Sequence, residues 1–194
     1  MFSTLTQKIT SLSLRSHALG TALSFGAFQG TRIYLDTLYA ASRHPVDFAT
    51  GQLAFDGATI LGYYDSMRAG GTFSVYVQTQ IFDFAFILSV MVFGLMFGTL
   101  IARLGQGYVV PRKAGIAAAT FAVLGGSLDA LENLVSFALM QFETQIPQVL
   151  ALIYSSFAAA KFASLTTAMG LALIGIVVGL ICAVARRLKR PSLA

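Results

Sequence analysis

Three polar residues that could do acid–base or ligand-binding chemistry lie together in an otherwise apolar part of the chain. The stretch GGSLDALENLVSF, residues 125–137, contains Asp129, Glu132 and Asn133. The chain has only two glutamates and a single asparagine, so this placement concentrates residue types that the sequence otherwise avoids. Paired carboxylates can transfer protons or bind a cationic group. The stretch therefore predicts a polar site.

The composition predicts an all-α membrane protein. Hydrophobic residues make up 56% of the chain, charged residues 11%, and the mean hydropathy is +0.75, whereas soluble domains carry about 25% charged residues. About 20 residues of helix cross the roughly 30 Å of hydrocarbon in a bilayer. The apolar runs predict one domain, 1–194, that forms a four-helix transmembrane bundle with spans at 12–38, 79–103, 114–141 and 158–186.

Lysine and arginine in the loops predict the orientation of this bundle, because basic residues are retained on the cytoplasmic side. They concentrate at both ends of the chain and between the second and third spans, at Lys8, Arg15, Arg103, Arg112, Lys113, Arg186, Arg187, Lys189 and Arg190. We therefore expect both termini to be cytoplasmic in a bacterial inner membrane, or to face the matrix in the alternative, a mitochondrial inner membrane. The net charge of +5 then reflects topology and not nucleic-acid binding. Anionic headgroups are the expected partners of the basic C-terminus.

The segments outside the predicted spans give further expectations. Residues 39–78 form a long outside excursion that is mostly apolar and aromatic between turn residues, which predicts short helices on the outer membrane surface or capping the bundle. The first twenty residues lack acids and are rich in Ser and Thr. They fit a mitochondrial targeting signal, but we prefer a cytoplasmic amphipathic lead-in helix with Phe2, Leu5, Ile9 and Leu12 at helical spacing. Cys182 is the only cysteine, so no internal disulfide can form.

Glycines on the predicted spans indicate close helix packing. Gly94 and Gly98 in the second span, and Gly175 and Gly179 in the fourth, follow the G-x-x-x-G spacing. Small residues let membrane helices approach each other closely, since lipid provides no hydrophobic drive for association. We expect these faces to pack within one chain.

The predicted orientation brings the ionisable residues of all four spans to one level near the outer leaflet. Asp129 lies roughly 24 Å above Lys113 at about 1.5 Å per residue, while Asp83 and Lys161 lie near the outer ends of their helices and Arg32 in the outer part of the first. An isolated charge in hydrocarbon costs about 3 kcal/mol on insertion scales. The carboxylates are therefore expected to face each other, Lys161, Arg32 or water.

Short motifs around these residues resemble a known group of proteins. YVQTQIFD places Tyr76 and Asp83 in a Y-x6-D pattern, LDALEN provides D-x-x-E-N, and Lys161 lies in the last helix. Over residues 70–185 the chain resembles small bacterial four-helix integral membrane proteins, although Ala85-Phe86 stands where that group's pattern has a proline. The resemblance implies that the motif residues share a location: Tyr76, Asp83, Asp129, Glu132, Asn133 and Lys161. It implies no particular chemistry.

The leading functional hypothesis is a small inner-membrane protein that binds a lipid headgroup or a small polar or cationic ligand. The expected ligand-binding residues are Asp83, Asp129, Glu132, Asn133, Lys161, Arg32 and Tyr76, with membrane lipids as partners. The alternatives are an accessory subunit of a larger membrane complex, with partner subunits or as a homo-oligomer, and a lipid-modifying isomerase or hydrolase that uses paired carboxylates. A structural polar cluster that fixes helix register is the remaining interpretation.

The sequence predicts no cofactor and no metal site, and it assigns no catalytic residue. His17 and His44 are the only histidines and lie at unrelated positions, which argues against a zinc or haem site. Serine and cysteine are not arranged with a histidine as a nucleophile would require.

Overall fold

Seven α-helices and no strand make up the part of the chain that the structure, a computed structural model, describes, residues 2–188. The all-α prediction is therefore confirmed for this range. Lys189 and Arg190 of the predicted basic C-terminal cluster lie outside the described residues. In chain order the helices are α1 Phe2–Ser11, α2 Leu14–Ser42, α3 Phe48–Gln52, α4 Gly57–Ala69, α5 Phe73–Leu104, α6 Val109–Leu139 and α7 Gln148–Leu188.

Three of these helices, α5, α6 and α7, are long and apolar enough to cross a membrane. They contain 32, 31 and 41 residues, and their most apolar windows have mean hydropathies of 2.4, 1.5 and 2.7. At 1.5 Å per residue they are about 48, 46 and 62 Å long, which exceeds the hydrocarbon thickness of a bilayer. They correspond to the predicted second, third and fourth spans, and all three begin several residues earlier than predicted, at Phe73, Val109 and Gln148.

The first predicted span, 12–38, forms a helix, α2, of 29 residues. α2 is long enough to cross a membrane but is not among the helices that are also apolar enough, because His17, Arg32 and Asp36 interrupt its apolar residues. It packs along α5. His17 is fully buried there, with Nε2 3.1 Å from the Met96 carbonyl oxygen. The helix is confirmed, and its crossing of a membrane stays a prediction.

Glycine allows α5 and α6 to pack with their backbones in contact. A Cβ atom added to Gly98 would lie 2.6 Å from the Ala119 nitrogen, and one added to Gly115 would lie 2.5 Å from the Ala102 nitrogen. A Cβ atom on Gly175 of α7 would lie 2.8 Å from Ile101 Cγ2. The predicted intrachain packing of small residues is thus confirmed at Gly98 and Gly175.

The excursion between α2 and α5 caps one end of the bundle. Its two short helices begin at Asp47 and Asp56, whose carboxylates accept hydrogen bonds from backbone N–H groups of the first turn. We call residues 44–69, which contain α3 and α4, the cover. The capping prediction is confirmed, because the cover packs on the ends of α5, α6 and α7 through a shared core: Ile60, Tyr64, Met67, Tyr76, Leu139, Met140, Ile146, Ala151 and Tyr154.

Hydrogen bonds fasten the cover to the start of α7. The Gln148 side chain accepts a hydrogen bond from the Gly57 N–H (3.0 Å) and donates one to the Phe55 carbonyl oxygen (2.8 Å). The Ser155 hydroxyl accepts a bond from the Phe55 N–H (3.0 Å). Gln148 and Ser155, in the turns of α7 that precede Lys161, therefore hold the cover in place.

Candidate functional site

Lys161 lies at the centre of a buried polar cluster between α6 and α7. Its Nζ donates to Asp129 Oδ1 at 2.6 Å and forms a second ion pair with Glu132 Oε2. Lys161 is 2% exposed, Asp129 5% and Glu132 0%. The single lysine ammonium thus bridges two carboxylates that lie three residues apart on one face of α6.

A second pair joins α6 to α5. Asn133 Nδ2 donates to Asp83 Oδ2 at 2.8 Å, and both side chains are buried. Asn133 lies one turn beyond Asp129 on the same face of α6. Through this face, α6 contacts α5 at Asn133 and α7 at Asp129 and Glu132. We call Asp83, Asp129, Glu132, Asn133 and Lys161 the polar cluster.

The polar cluster contains more acidic than basic groups. Asp83, Asp129 and Glu132 offer three carboxylates against the one ammonium of Lys161. Asp83 has no ion pair with a basic side chain among residues 2–188, and only the Asn133 amide donates to it. The cluster therefore lacks positive charge unless a proton or a bound cation supplies it.

Buried oxygens in and above the polar cluster also lack hydrogen-bond donors. Within the described part of the chain, no donor reaches four side-chain acceptors, Asp83 Oδ1, Asn133 Oδ1, Gln80 Oε1 and Gln52 Oε1, whereas the Tyr154 hydroxyl lies beside the Glu132 carboxylate as a donor. The unpaired buried amide nitrogen in this region is Gln52 Nε2, and the hydroxyls of Tyr64 and Ser136 lie within reach of each other. An unpaired buried acceptor costs about 1–3 kcal/mol. The region is thus short of donors.

A small cavity separates the cover from the bundle. It has a volume of about 10 Å³, and its wall consists of Tyr39, His44, Phe48, Gly51, Gln52, Tyr76, Gln80 and Tyr154. This volume matches about one water molecule. The ring of Phe48 in α3 lies 5.5 Å from Lys161 Nζ, which places the cover against the polar cluster. Any larger group would enter the site only after the cover moves.

Burial favours the neutral form of two titratable groups of the cover, His44 and Tyr64. Burial lowers the pKa of His44 below its ordinary value of 6.5, although a hydrogen bond with the Val46 carbonyl and the charge of Asp47 act in the opposite direction. Burial also raises the pKa of Tyr64 to about 12. These two groups therefore add dipoles and aromatic rings above the polar cluster, and the cation of the cover, Arg68, is paired with Asp65 and donates to the Phe142 carbonyl oxygen.

Six of the seven predicted site residues lie in or beside the polar cluster. Tyr76 is buried two turns before Asp83 on α5 and forms part of the cavity wall. Arg32 lies elsewhere: its side chain is 58% exposed and pairs with Asp36 at 3.8 Å on the surface of α2. α2 therefore contributes no charge to the polar cluster, which three helices form, not four.

Sequence reasoning missed several polar residues of this region. Gln80 lies between Tyr76 and Asp83 at helical spacing, and Tyr154 precedes Lys161 by two turns, so a face-by-face reading of α5 and α7 could have found both. Gln52 gives no such signal, since it belongs to a five-residue helix of the cover.

The described residues form no metal-binding group and the chain has no recognised relative. No group of three or more His, Cys, Asp or Glu side chains is placed to hold a metal ion within residues 2–188. The site is therefore defined by its ion pairs and its unpaired acceptors alone. No protein-family model, no curated protein and no solved structure matches this chain.

Proposed function

We propose that this chain is a small integral membrane protein whose polar cluster binds a small cationic hydrogen-bond donor. The excess of buried acceptors carries this proposal, because a donor-rich cation would satisfy unpaired oxygens and would offset the excess negative charge. Asp83 Oδ1 is the acceptor that a positive group would stabilise most, because Asp83 has no basic partner in the described residues. Lys161 and Asn133 hold the carboxylates of the polar cluster in position for it.

The close packing of the cover beside the polar cluster favours a small ligand, such as an ammonium ion or the head of a primary amine. The cavity under the cover, of about 10 Å³, has room for one group of the size of water, and its wall includes none of the five cluster residues. The rings of Phe48, Tyr76 and Tyr154 favour a cation, since aromatic faces attract positive charge. An amine lipid headgroup shares this chemistry, and its entry would require the cover to separate from α7.

The proposed topology places this site near the outer leaflet of a bacterial inner membrane. α2 is then the first of four spans, and both termini are cytoplasmic. Support for α2 comes from large apolar side chains that it leaves exposed along its length, including Leu19 (61%), Leu23 (66%) and Ile33 (64%). Lipid contact would explain their exposure.

Cysteine labelling tests this topology in a Cys182→Ser background. Thr4→Cys and Gly107→Cys should react with an impermeant maleimide only after the membrane is permeabilised, whereas Gly70→Cys should react in sealed cells. Labelling of Thr4→Cys from outside, with Gly107→Cys still protected, would mean that α2 does not cross the membrane.

Ligand binding is tested by thermal stability of the purified protein. Ammonium, methylammonium and ethanolamine should raise the unfolding temperature, and sodium at equal ionic strength should not. Saturation at about 100 times Kd corresponds to about 2.7 kcal/mol of stabilisation. The effect should be absent in Asp83→Asn and retained in Asp36→Asn, whose carboxylate is exposed on α2. Equal responses to ammonium and sodium would contradict the proposal and leave a purely structural cluster.

A further inference from the structure

A second polar site lies at the opposite end of the bundle from the cover. There α1 lies against the end of α5 and the start of α6, and the three helices enclose a cleft of about 260 Å³. We call it the basic cleft, and its wall consists of Thr6, Gln7, Thr10, Ala102, Arg103, Gln106, Arg112 and Ile116. Its volume is close to that of the smallest ligand pockets.

The basic cleft contains two arginines and no acid. Arg103 and Arg112 form no ion pair in the described residues. The sequence explains this, because no aspartate or glutamate precedes Asp36, lies between Asp83 and Asp129, or follows Glu143. The positive charge of the cleft therefore has no counterion from a side chain of the chain itself.

One of the two arginines is held in position by the backbone. Arg103 Nη1 donates to the Leu12 carbonyl oxygen at 2.6 Å, in the turn that joins α1 to α2. This bond uses one of the five N–H groups of the guanidinium. Arg112 is exposed across the α5–α6 turn. Two guanidinium groups with free donors on one cleft are suited to a phosphate group, which they bind through paired hydrogen bonds.

We propose that the basic cleft binds a phosphate ester, either the headgroup of an anionic phospholipid or a soluble phosphate compound. Two guanidinium groups match the charge of a phosphate, and the side chains of α1 and Gln106 surround the remaining space with polar groups. Exposed apolar side chains border this end of the molecule, including Leu104 (67%), Val109 (68%) and Val110 (52%). These residues would contact the acyl chains of a lipid, and a soluble ester would leave them uncovered.

Native mass spectrometry of the full chain in nanodiscs tests the basic cleft. The probe lipids are phosphatidylglycerol and phosphatidylcholine, and the variant is Arg112→Gln, which keeps the bond between Arg103 and Leu12. Its matched control is Lys113→Gln, which removes the neighbouring charge from an exposed position outside the wall of the cleft. We expect Arg112→Gln to weaken phosphatidylglycerol binding about fivefold, the contribution of one basic residue near a membrane surface. Lys113→Gln should change it little.

Glycerol phosphate, added as a competitor, distinguishes the two sources of the ligand. If it binds the wild type as tightly as phosphatidylglycerol does and loses affinity in Arg112→Gln, the cleft binds a soluble ester. If only phosphatidylglycerol binds tightly, the ligand is a lipid headgroup. Equal losses in Arg112→Gln and Lys113→Gln would overturn the proposal, because they indicate diffuse attraction to anionic lipid. Absence of binding by both probes would overturn it as well.

Discussion

Replacement of Lys161 by methionine should destabilise the fold by about 3–5 kcal/mol. Methionine keeps most of the volume of the lysine stem, so the loss comes from charge and not from a new cavity. In the wild type the ammonium contacts Asp129 and Glu132, and all three side chains are at most 8% exposed. Removal of one partner of a buried ion pair costs about this amount, since the remaining charge has neither water nor a partner.

A mutant cycle tests whether this cost arises from the carboxylates. Adding Asp129→Asn to Lys161→Met should recover part of the loss, and adding Glu132→Gln as well should recover more, because each change removes one unpaired charge. The coupling energies should be about 0.5–3 kcal/mol, as for residues in direct contact.

Denaturant unfolding in detergent, followed by far-UV circular dichroism, provides the measurement, since the chain has no tryptophan. Arg32→Met is the matched control: its pair with Asp36 is exposed, and such pairs contribute at most about 1 kcal/mol. Strictly additive losses in the cycle would refute the reasoning and would place Lys161 outside the electrostatics of the polar cluster.

Two further changes follow from packing and from titration. Gly98→Leu should destabilise the fold by about 1–3 kcal/mol or prevent folding, because the added Cβ would meet the Ala119 backbone. Gly170→Leu is the control, because a Cβ there meets open space, and it should change the denaturant unfolding curve little. Similar losses of stability in both variants would contradict close packing of α5 on α6. Burial lowers the pKa of His44 in the folded state, so the unfolded state binds more protons there, and the contribution of His44 to stability should fall as the pH drops below about 6.5. The wild type should therefore lose stability relative to His44→Gln as the pH falls below this value, and a difference in unfolding free energy that does not change with pH would contradict this role of His44.

The long helices and the core of the polar cluster could be predicted from the sequence because both depend on helical periodicity. The apolar runs of α5, α6 and α7 are long, and Asp129, Glu132 and Asn133 fall on one face of α6 whatever the details of packing. The contact of Lys161 with α6 was predicted only from the depth at which the orientation of the helices places the charged residues. The same argument from depth failed for Arg32, because α2 directs that side chain away from α5 and toward the surface.

The cover shows where sequence reasoning stops. Its short helices were expected from apolar residues between turns, but their contacts with Gln148 and Ser155 join residues about 100 positions apart. Helical periodicity predicts which residues share a face of one helix, but not which distant segments contact each other. The unpaired amide of Gln52, which shapes the small cavity, therefore became visible only when the fold brought α3 against α5 and α7.

The ion pairs of Lys161 also bear on how the chain enters its membrane during synthesis. Asp129 leaves the ribosome 32 residues before Lys161, which at 5–20 residues per second is a delay of a few seconds. α6 has the lowest mean hydropathy of the three apolar helices, 1.5, and each of its carboxylates adds roughly 3 kcal/mol to the free energy of insertion. In the proposed topology, α6 therefore inserts into the bilayer poorly until α7 supplies the ammonium of Lys161. We expect the two helices to partition into lipid together, as a hairpin, and a chain that stops before α7 to leave α6 outside the bilayer.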